Sequence, residues 1–574
     1  MSTTGLFDVV TAHFDARPDA PAIASNSGCL DYRSVRAEVR RVGAALIAGG
    51  VGSGSCVAIS LARGPGAVVS ALACWSVGAS FVLLDLEHPA QRRAGVIEAA
   101  LATHVLSSTS GEPAGWPVLL ARTTPAASYP GRAYTLTTSG STGAPKAVAI
   151  RPDNLEWLLG AATRELGLDA ADTFSCIHSL SFDFSVWELF APLWLGGQVL
   201  LVDRADVRDP RRLDAVLRAG GVSVLSATPQ VLRMLTEQWA ATGPPPTLRS
   251  VVLGGDRLDP TVLPAGLLAP AGPLRVGNLY GITETTVHVT NLLLTPADTR
   301  ASAPGSPIGR ALPGAGVSVV GAGWRPVAPG EVGEMWVTGG GVGDGYLGDP
   351  RGTARAFVPD PGGHGARAYR SGDLATSTVD GRLHFVGRAD HEMKVRGHRV
   401  APQEVERAMA AVPGVGQAAV GLRASGAGES LLAAVVEHEP VPDEVIFAHL
   451  QEVLPAHMVP TRILRREALP LTFNGKLDRA ALFAEDTTEA AAPAGADAAL
   501  STLESTVADC WATVLGHHDF GVDQSFFECG GDSLLGIRMI SRIGRLAGRS
   551  VPVDVLFESP TVRGIAQRIG SPDD

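Results

Sequence analysis

Short apolar runs alternate with amphipathic stretches over the first two thirds of the chain, to about residue 385. The runs SCVAIS, GGQVLLVD, VSVLSAT and LRSVVLGG are examples, and each has the length of a buried strand. Strands that alternate with helical patterns are typical of α/β layers. The pattern therefore predicts a large N-terminal α/β region, residues 1–389, with a largely parallel sheet.

One apolar stretch is almost long enough to span a membrane. Residues 66–84 read GAVVSALACWSVGASFVLL and carry no charge. However, VGAS interrupts the run, and FVLLD has the pattern of a strand. We predict a buried helix, a turn and a buried strand here, and no membrane segment.

The pattern changes after residue 389. Residues 390–483 form a smaller α+β segment, in which GQAAVGLRAS and LLAAVVEHE are a candidate strand pair. Residues 484–500 lose the apolar periodicity and are rich in Ala, Thr, Pro and acidic residues, which predicts a linker. In residues 501–574, the capping box STLE and apolar residues at helical spacing predict a separate all-α bundle.

Composition narrows the class of protein. A chain of 574 residues is too long for one core, and a net charge of -11 argues against a nucleic-acid binder. The six cysteines are scattered without a C-x-x-C pair, and the N-terminus lacks the pattern of a signal peptide. These features predict a cytoplasmic protein with reduced thiols.

The strongest chemical signal is TTSGSTGAPKA, residues 137–147. Its small residues leave the backbone open, so hydroxyl and N–H groups can surround phosphate oxygens. The loop is not a Walker A motif, because G-x-x-x-x-G-K-[ST] is absent. The predicted phosphate-binding residues are Thr138, Ser139, Gly140, Ser141, Thr142, Gly143 and Lys146.

This loop begins a series of motifs that resembles the adenylate-forming superfamily. NLYGITE at 278–284, GEMWVTGGGVGDGYL at 333–347, YRSGDL at 369–374, GRADHEMKVRGHRV at 387–400 and NGKLDR at 474–479 follow in the family's order. Within the superfamily, the chain is most similar to adenylation domains of nonribosomal peptide synthetases. The resemblance implies an AMP-forming ligase that uses ATP and Mg²⁺.

The resemblance also implies roles for single residues. Glu284 would hold Mg²⁺, Thr283 would donate to the α-phosphate, and Lys476 would be the catalytic lysine between the substrate carboxylate and that phosphate. Asp390 would be the hinge between the regions 1–389 and 390–483. The implied contacts to adenine and ribose come from Tyr280, Asp373 and Arg388.

SFDFSVWELF, residues 181–190, resembles the family motif with the amino-acid-binding aspartate. Asp183 would pair with the substrate ammonium, since a buried cation needs an anionic partner. Ser226 and His288 could bond a side-chain hydroxyl, and the lining resembles the family's threonine-selective pattern with Ser226 in place of asparagine, so threonine is the first prediction, followed by 2-aminobutyrate and valine. The pocket lining implied by the family is Phe184, Trp187, Ser226, Val252, Gly254, Leu279, Val287 and His288.

FFECGGDSLLG, residues 526–536, has two interpretations. GDSL is an esterase signature with Ser533 as nucleophile, but a triad needs His and Asp partners that so small a bundle does not supply. The stretch also resembles the carrier-protein signature. Ser533 would then begin a helix and carry 4′-phosphopantetheine, whose phosphodiester is favoured near the positive end of that helix. Residues 501–574 are therefore predicted to be a four-helix-type peptidyl carrier domain.

The combined prediction is activation of a small amino acid as aminoacyl-AMP and thioester loading onto the chain's own carrier. A phosphopantetheinyl transferase and a downstream tailoring enzyme or synthetase acting in trans are the implied partners, with no nucleic acid and no membrane. The sequence leaves open whether an MbtH-like protein is needed. Ala147, Ile282, Ala401 and Gln403 depart from the family pattern. Two alternatives remain: an acyl-CoA synthetase-like ligase and a catalytically impaired carrier or scaffold protein.

Overall fold

The computed structural model separates the chain into two compact units, residues 1–399 and 400–574, and each is described by itself. The residues that the structure describes are 4–108, 119–122, 129–139, 145–268, 274–300, 305–360, 366–389, 393–395, 397–425, 428–470, 477, 479, 482, 502–515, 520–524, 526, 529, 536, 539, 540, 542–544, 546, 551, 555, 556 and 559–570.

Helices and strands alternate through most of the first unit, as the apolar pattern predicts. The strands are β1 Pro21–Ser25, β2 Gly28–Asp31, β3 Cys56–Ser60, β4 Ser80–Leu83, β5 His104–Ser107, β6 Leu119–Arg122, β7 Tyr134–Thr138, β8 Lys146–Ile150, β9 Thr173–Cys176, β10 Gln198–Leu201, β11 Val224–Ala227, β12 Ser250–Leu253, β13 Arg275–Tyr280, β14 Thr290–Leu293, β15 Ser306–Ala311, β16 Ala315–Val320, β17 Gly333–Gly339, β18 Gly345–Tyr346, β19 Phe357–Pro359, β20 Arg367–Ser377, β21 Leu383–Arg388, β22 Met393–Val395, β23 His398–Val400, β24 Val415–Ser425, β25 Gly428–Glu437 and β26 Arg462–Arg465. The helices are α1 Thr4–Ala16, α2 Tyr32–Ala48, α3 Pro65–Ser76, α4 Ala90–Ala99, α5 Pro152–Leu166, α6 Phe184–Leu195, α7 Arg204–Val207, α8 Pro210–Ala219, α9 Pro229–Thr242, α10 Pro350–Ala356, α11 Pro402–Ala410, α12 Asp443–Val453, α13 Thr502–Leu515 and α14 Val562–Gly570.

Two sheets form the frame of the first unit. The smaller one has the strand order β18-β8-β7-β4-β3-β5-β6. The larger one begins β2-β1-β10-β9-β11-β12-β13, and from β1 to β13 its neighbouring strands run parallel. The four apolar runs quoted above become β3, β10, β11 and β12, so these strand predictions are confirmed.

From β13 onward, the larger sheet is antiparallel, continuing β14-β15-β21-β20-β17-β16. The prediction of a largely parallel sheet is therefore wrong for residues 290–388. The physical reason is the length of the connections: β20 ends at Ser377 and its neighbour β21 begins at Leu383, which leaves no room for the crossover helix that parallel strands need.

The apolar stretch 66–84 folds as the sequence predicts. Helix α3 is buried along Pro65–Trp75, and β4 follows it as a buried strand between β3 and β7. Trp75 packs on Phe81 and Phe190, with ring centroids 5.5 and 4.6 Å apart. In the described part of the chain, no helix combines the length and apolar character that crossing a membrane requires.

The second unit contains the predicted small α+β segment and the helical bundle. GQAAVGLRAS and LLAAVVEHE form β24 and β25, which pair antiparallel, and β26 joins β25 in parallel. In the bundle, Trp511 of α13 and Ile565 of α14 share a core with Phe526 and Leu556. The predicted linker 484–500 lies outside the described residues, and none of the six cysteines, all of which are described, forms a disulfide.

Candidate active site

The site lies where four neighbouring parallel strands end. The carboxyl ends of β9, β11, β12 and β13 meet at one edge, which is where ligands bind in open α/β sheets. Ser226 lies near the end of β11, Val252 and Gly254 at the end of β12, and Leu279 near the end of β13. The strand order thus brings together pocket residues that are more than fifty positions apart in the chain.

Aromatic rings close the predicted amino-acid pocket above this edge. His288 meets Phe184 and Trp187 edge to face, with ring centroids 5.0 and 5.8 Å apart. A Cβ added to Gly254 would lie 3.2 Å from His288 Cε1 and 3.3 Å from both Leu279 O and Phe184 Cε1. These residues therefore converge on one point, and the close approach requires glycine there.

The backbone before His288 is strained. Thr286 and Val287 have φ angles of 61° and 64°, in the left-handed region that β-branched residues rarely adopt. Strain of this kind persists where the surrounding structure holds it, and it clusters at functional sites. The turn delivers Val287 and His288, both buried, into the pocket wall.

Asp183 immediately precedes α6 and is buried. Thr283 Oγ1 donates to Asp183 Oδ2 at 2.9 Å. Burial raises the pKa of Asp183 to about 6, although the Thr283 hydrogen bond lowers it. The carboxylate is therefore ionised at neutral pH but costs free energy to keep dry, which favours a cationic ligand beside it. Thr283 thus donates to this carboxylate in the structure, and its contact with the α-phosphate stays a prediction.

The predicted ribose-binding residues form a network of their own. Tyr280 Oη donates to Asp373 Oδ2 at 2.6 Å, and Arg388 Nη1 donates to Asp373 Oδ1 at 2.6 Å. Strands β20 and β21 pair Asp373 directly opposite Arg388, so the sheet register creates this ion pair. Asp373 is fully buried, and its carboxylate raises the pKa of the Tyr280 hydroxyl further, after burial itself.

Glu284, the predicted Mg²⁺ ligand, is fully buried at the same end of the site. Tyr346 Oη donates to its Oε1 at 2.8 Å, and Arg399 Nη1 lies 3.1 and 3.2 Å from its two oxygens. Mg²⁺ prefers oxygen ligands and is often bound by a protein carboxylate together with phosphate oxygens of the substrate, so Glu284 fits this ion. In the structure, the Arg399 guanidinium forms an ion pair with the Glu284 carboxylate.

The β22–β23 hairpin, residues 393–400, touches several of these groups. Ser139 Oγ donates to the Arg399 carbonyl oxygen at 2.8 Å, and Lys394 Nζ lies 5.8 Å from the Tyr280 ring centroid. The His398 ring packs 5.0 Å from Phe182. The hairpin thus meets the start of the phosphate loop and the ring that was predicted to stack on adenine.

Two more of the predicted phosphate-loop residues, Thr138 and Lys146, lie in the described part of the chain. Lys146 Nζ lies 5.5 Å from the centroid of the Tyr346 ring, and Thr138 Oγ1 is buried without a hydrogen-bond partner among the described residues. The other predicted site residues outside the described part are Gly140, Ser141, Thr142, Gly143, Asp390, Lys476 and Ser533.

A family model described as AMP-binding enzyme matches residues 10–126 and 110–347, more than half of the chain. The chain belongs to the AMP-binding enzyme family. Models for the AMP-binding enzyme C-terminal domain and for a phosphopantetheine attachment site match residues 404–476 and 505–569. These matches confirm an AMP-forming ligase followed by a carrier domain, whose cofactors are ATP, Mg²⁺ and 4′-phosphopantetheine.

Relatives of this AMP-binding enzyme contain the same arrangement within longer proteins. The dimodular nonribosomal peptide synthase of Bacillus subtilis (strain 168) is 36% identical over 96% of this chain, which spans 24% of that protein. Phenyloxazoline synthase MbtB of Mycolicibacterium paratuberculosis (strain ATCC BAA-968 / K-10) is 35% identical over 100% of this chain and 50% of its own length. The chain therefore spans half or less of these relatives.

A solved structure covers nearly the whole chain. Holo-PA1221, an NRPS protein containing adenylation and PCP domains bound to a vinylsulfonamide inhibitor, has a TM-score of 0.81 and 27% identity. The match covers 99% of this chain and 96% of that one. It confirms the predicted fold class: a large α/β region, a small α+β region and an all-α carrier.

Sequence reasoning missed four residues that the structure brings to the site. Tyr346 and Arg399 hold Glu284, and both lie inside motifs quoted above, although neither was assigned a role. His178 stacks on Phe184 with centroids 4.5 Å apart, and its Nδ1 lies 2.8 Å from Glu188 Oε1. The signal for this pair was its closeness in sequence to Asp183, five residues away on either side.

Proposed function

We propose that the chain activates a small amino acid with ATP and loads it, as a thioester, onto its own carrier domain. The observation that supports this proposal is Asp183, a buried carboxylate at the strand edge of an adenylation fold. Its side chain accepts a hydrogen bond from Thr283, and the charge of Lys394 lowers its pKa, but among the described residues neither Lys nor Arg forms an ion pair with it. A substrate ammonium would supply the missing positive charge.

The first half-reaction joins the substrate carboxylate to the α-phosphate of ATP and releases pyrophosphate. Two anions must approach each other, so catalysis depends on positioned cations and donors more than on a general base. We assign Lys476 to the bridge between carboxylate and phosphate, Glu284 to Mg²⁺ and the loop 138–146 to the phosphates. Asp373 and Arg388 would bind the ribose, and Tyr280 the adenine.

The second half-reaction transfers the aminoacyl group from AMP to the thiol of the 4′-phosphopantetheine arm. Ser533 would carry that arm after modification by a phosphopantetheinyl transferase. Asp390 would be the hinge on which the small α+β region moves between the two reactions. The loaded carrier would pass its cargo to a tailoring enzyme or synthetase in trans, and a need for an MbtH-like protein is left open.

The pocket favours a small substrate. Phe184, Leu279 and His288 are buried around Gly254, and atoms of all three lie 3.2–3.3 Å from the position that a Cβ would take there. Among the pocket residues predicted from the family pattern, none carries a carboxylate that could pair with a basic substrate side chain. Threonine is the first substrate proposed, with 2-aminobutyrate and valine next.

Intact-mass analysis of the phosphopantetheinylated protein, after incubation with ATP and a mixture of amino acids, tests this function directly. We expect one small aminoacyl mass on the wild type and none on Ser533→Ala, which should still catalyse amino-acid-dependent pyrophosphate exchange. Free CoA as the preferred acceptor would favour the acyl-CoA synthetase-like alternative. Absence of pyrophosphate release with every amino acid would favour the impaired scaffold.

A further inference from the structure

Unpartnered polar atoms gather around the amino-acid pocket. Ser226 Oγ, Trp187 Nε1, His178 Nε2 and both ring nitrogens of His288 are buried and have no hydrogen-bond partner among the described residues. Buried polar groups in folded proteins are nearly always bonded, so several orphans in one place need an explanation. The His178 and His288 rings pack on Phe184, the Trp187 ring packs on His288, and Ser226 lies near the end of β11.

His288 offers the pocket one donor and one acceptor. Burial lowers the pKa of His288 to about 3, with a smaller contribution from His178, so its ring is neutral at physiological pH. In a neutral imidazole, one nitrogen carries hydrogen and the other has a free lone pair. Because both ring nitrogens of His288 lack partners in the described structure, this one ring can bond a substrate group that both donates and accepts hydrogen bonds.

His178 has a fixed orientation. The Glu188 carboxylate accepts the backbone N–H groups of Ile177 and His178 at 3.2 Å each and lies 2.8 Å from His178 Nδ1. A carboxylate beside Nδ1 favours a proton on that nitrogen, so Nε2 is the ring nitrogen that is left buried without a hydrogen-bond partner among the described residues. Parallel stacking on Phe184 holds this ring against the pocket wall.

We propose that Ser226, His288 and His178 together read the side chain of the substrate, and that the substrate is a small β-hydroxy amino acid. This inference rests on the proposed function and deepens it. A hydroxyl both donates and accepts, so it can bond one unpartnered donor and one unpartnered acceptor at the same time. Valine or 2-aminobutyrate would displace water from these groups and leave them unpaired.

Size and polarity set different limits on the substrate. The rings of His288 and Phe184 lie 3.2 and 3.3 Å from the position of a Cβ on Gly254, so the wall of the proposed pocket is closely packed there. The unpartnered polar atoms favour a substrate side chain that carries a hydroxyl. His178 lies outside the family's pocket positions, and we assign it as an additional specificity-determining residue.

The test compares substrates of matched shape on the phosphopantetheinylated protein. Threonine and valine differ by one hydroxyl in place of a methyl, and threonine and 2-aminobutyrate by the hydroxyl alone. We expect kcat/KM for threonine to exceed that for valine by about a hundredfold or more, as for a site built to bond a substrate hydroxyl. A ratio near one, or a preference for valine or 2-aminobutyrate, would overturn the inference while leaving amino-acid activation intact.

Variants show which groups read the hydroxyl. Ser226→Ala should reduce the threonine-to-valine ratio to about tenfold, mainly by raising KM for threonine. His178→Asn places an amide near the position of Nδ1, so it can keep the Glu188 bond while it removes Nε2. His178→Gln is the converse control, because its amide reaches the position of Nε2.

If His178 reads the substrate, His178→Asn lowers the threonine-to-valine ratio, and His178→Gln restores part of it. A purely structural role predicts equal losses for both substrates in both variants and would overturn the assignment of His178. The substrate comparison in the wild type needs no variant to fold. Failure of every amino acid to release pyrophosphate would overturn the proposed function and this inference together.

Discussion

The two ends of the site differ in how their polar groups are satisfied. At the nucleotide end, Asp373 is bonded to Tyr280 and Arg388, and Glu284 to Tyr346 and Arg399. At the amino-acid end, a set of buried polar atoms has no partner in the described structure: Ser226 Oγ, His288 Nδ1 and Nε2, Trp187 Nε1 and His178 Nε2.

This difference determines what each ligand must do on arrival. A nucleotide or its metal has to exchange places with protein groups, so part of its binding energy replaces bonds that already exist. The amino acid meets buried polar groups that have no protein partner, so every well-placed polar atom of the substrate adds affinity and selectivity. In the proposed site, a ligand of the nucleotide end replaces existing hydrogen bonds of the protein. A ligand of the amino-acid end instead bonds groups that have no partner, which allows the protein to select among amino acids.

Lys476 gives the largest expected effect, because the proposed role places it where the two ends meet. Lys476→Ala should lower the rate of aminoacyl-adenylate formation by roughly a hundredfold to a thousandfold, since a charge that stabilises the transition state is lost. ATP binding, measured by equilibrium dialysis, should persist. Arg382→Ala, which removes a half-exposed cation paired with Asp380, is the matched control and should react normally. Normal pyrophosphate exchange by Lys476→Ala would refute the assignment.

Gly254→Ala perturbs the amino-acid end alone. The added methyl would contact His288, Leu279 and Phe184 at 3.2–3.3 Å, so it shrinks the pocket. We expect kcat/KM for threonine to fall by about tenfold to a hundredfold, with a smaller loss for serine and alanine, and no change in KM for ATP.

Gly160→Ala is the control for Gly254→Ala, because nothing lies within 4 Å of a Cβ added there in α5. This control should leave the amino-acid preference unchanged. An equal loss for threonine, serine and alanine in Gly254→Ala would mean that Gly254 does not limit substrate size.

Sequence reasoning was most successful where chemistry is local. The buried helix α3 and the strand pair β24–β25 follow from short patterns whose periodicity is complete within about twenty residues. The parallel sheet prediction failed after β13, because strand direction depends on connections between strands and not on the strands themselves.

The candidate site shows the same limit. Motifs identified Asp373 and Glu284, but Arg399 meets Glu284 across 115 positions, and no periodicity predicts that contact. The unpartnered state of Ser226 and His288 also depends on what surrounds them, so only coordinates show it. Sequence can predict which residues belong to such a site. Which of their polar atoms have hydrogen-bond partners depends on how the chain packs around them.

The next largest expected effect is a pH dependence of amino-acid activation, because Asp183 gains and loses a proton near pH 6. Its pKa of about 6 means that the carboxylate is ionised above pH 6 and protonated below it. Because the substrate ammonium needs the ionised form, kcat/KM for the amino acid should be roughly tenfold lower at pH 5 than at pH 8. KM for ATP should show no matching step.

Asp183→Asn is the variant that checks this assignment. It should lose amino-acid activation and melt at a higher temperature than the wild type at pH 8, because burial penalises the charged form that it removes. A pH profile that stays flat between 5 and 8 in the wild type would contradict the role of Asp183.

Arg399 gives the smallest effect and tests the idea of exchange most directly. A metal ion that binds Glu284 must displace or face the guanidinium that contacts both carboxylate oxygens. If that ion pair stabilises the metal-free form by about 1 kcal/mol, Arg399→Ala should bind Mn²⁺ with a non-hydrolysable ATP analogue roughly fivefold more tightly. Paramagnetic resonance of Mn²⁺ measures this affinity without any turnover, and Arg382→Ala should match the wild type. Weaker Mn²⁺ binding by Arg399→Ala would instead mean that Arg399 assists in binding the nucleotide phosphates. The ligand of the nucleotide end would then add partners to the protein groups, as the amino acid is proposed to do at the other end.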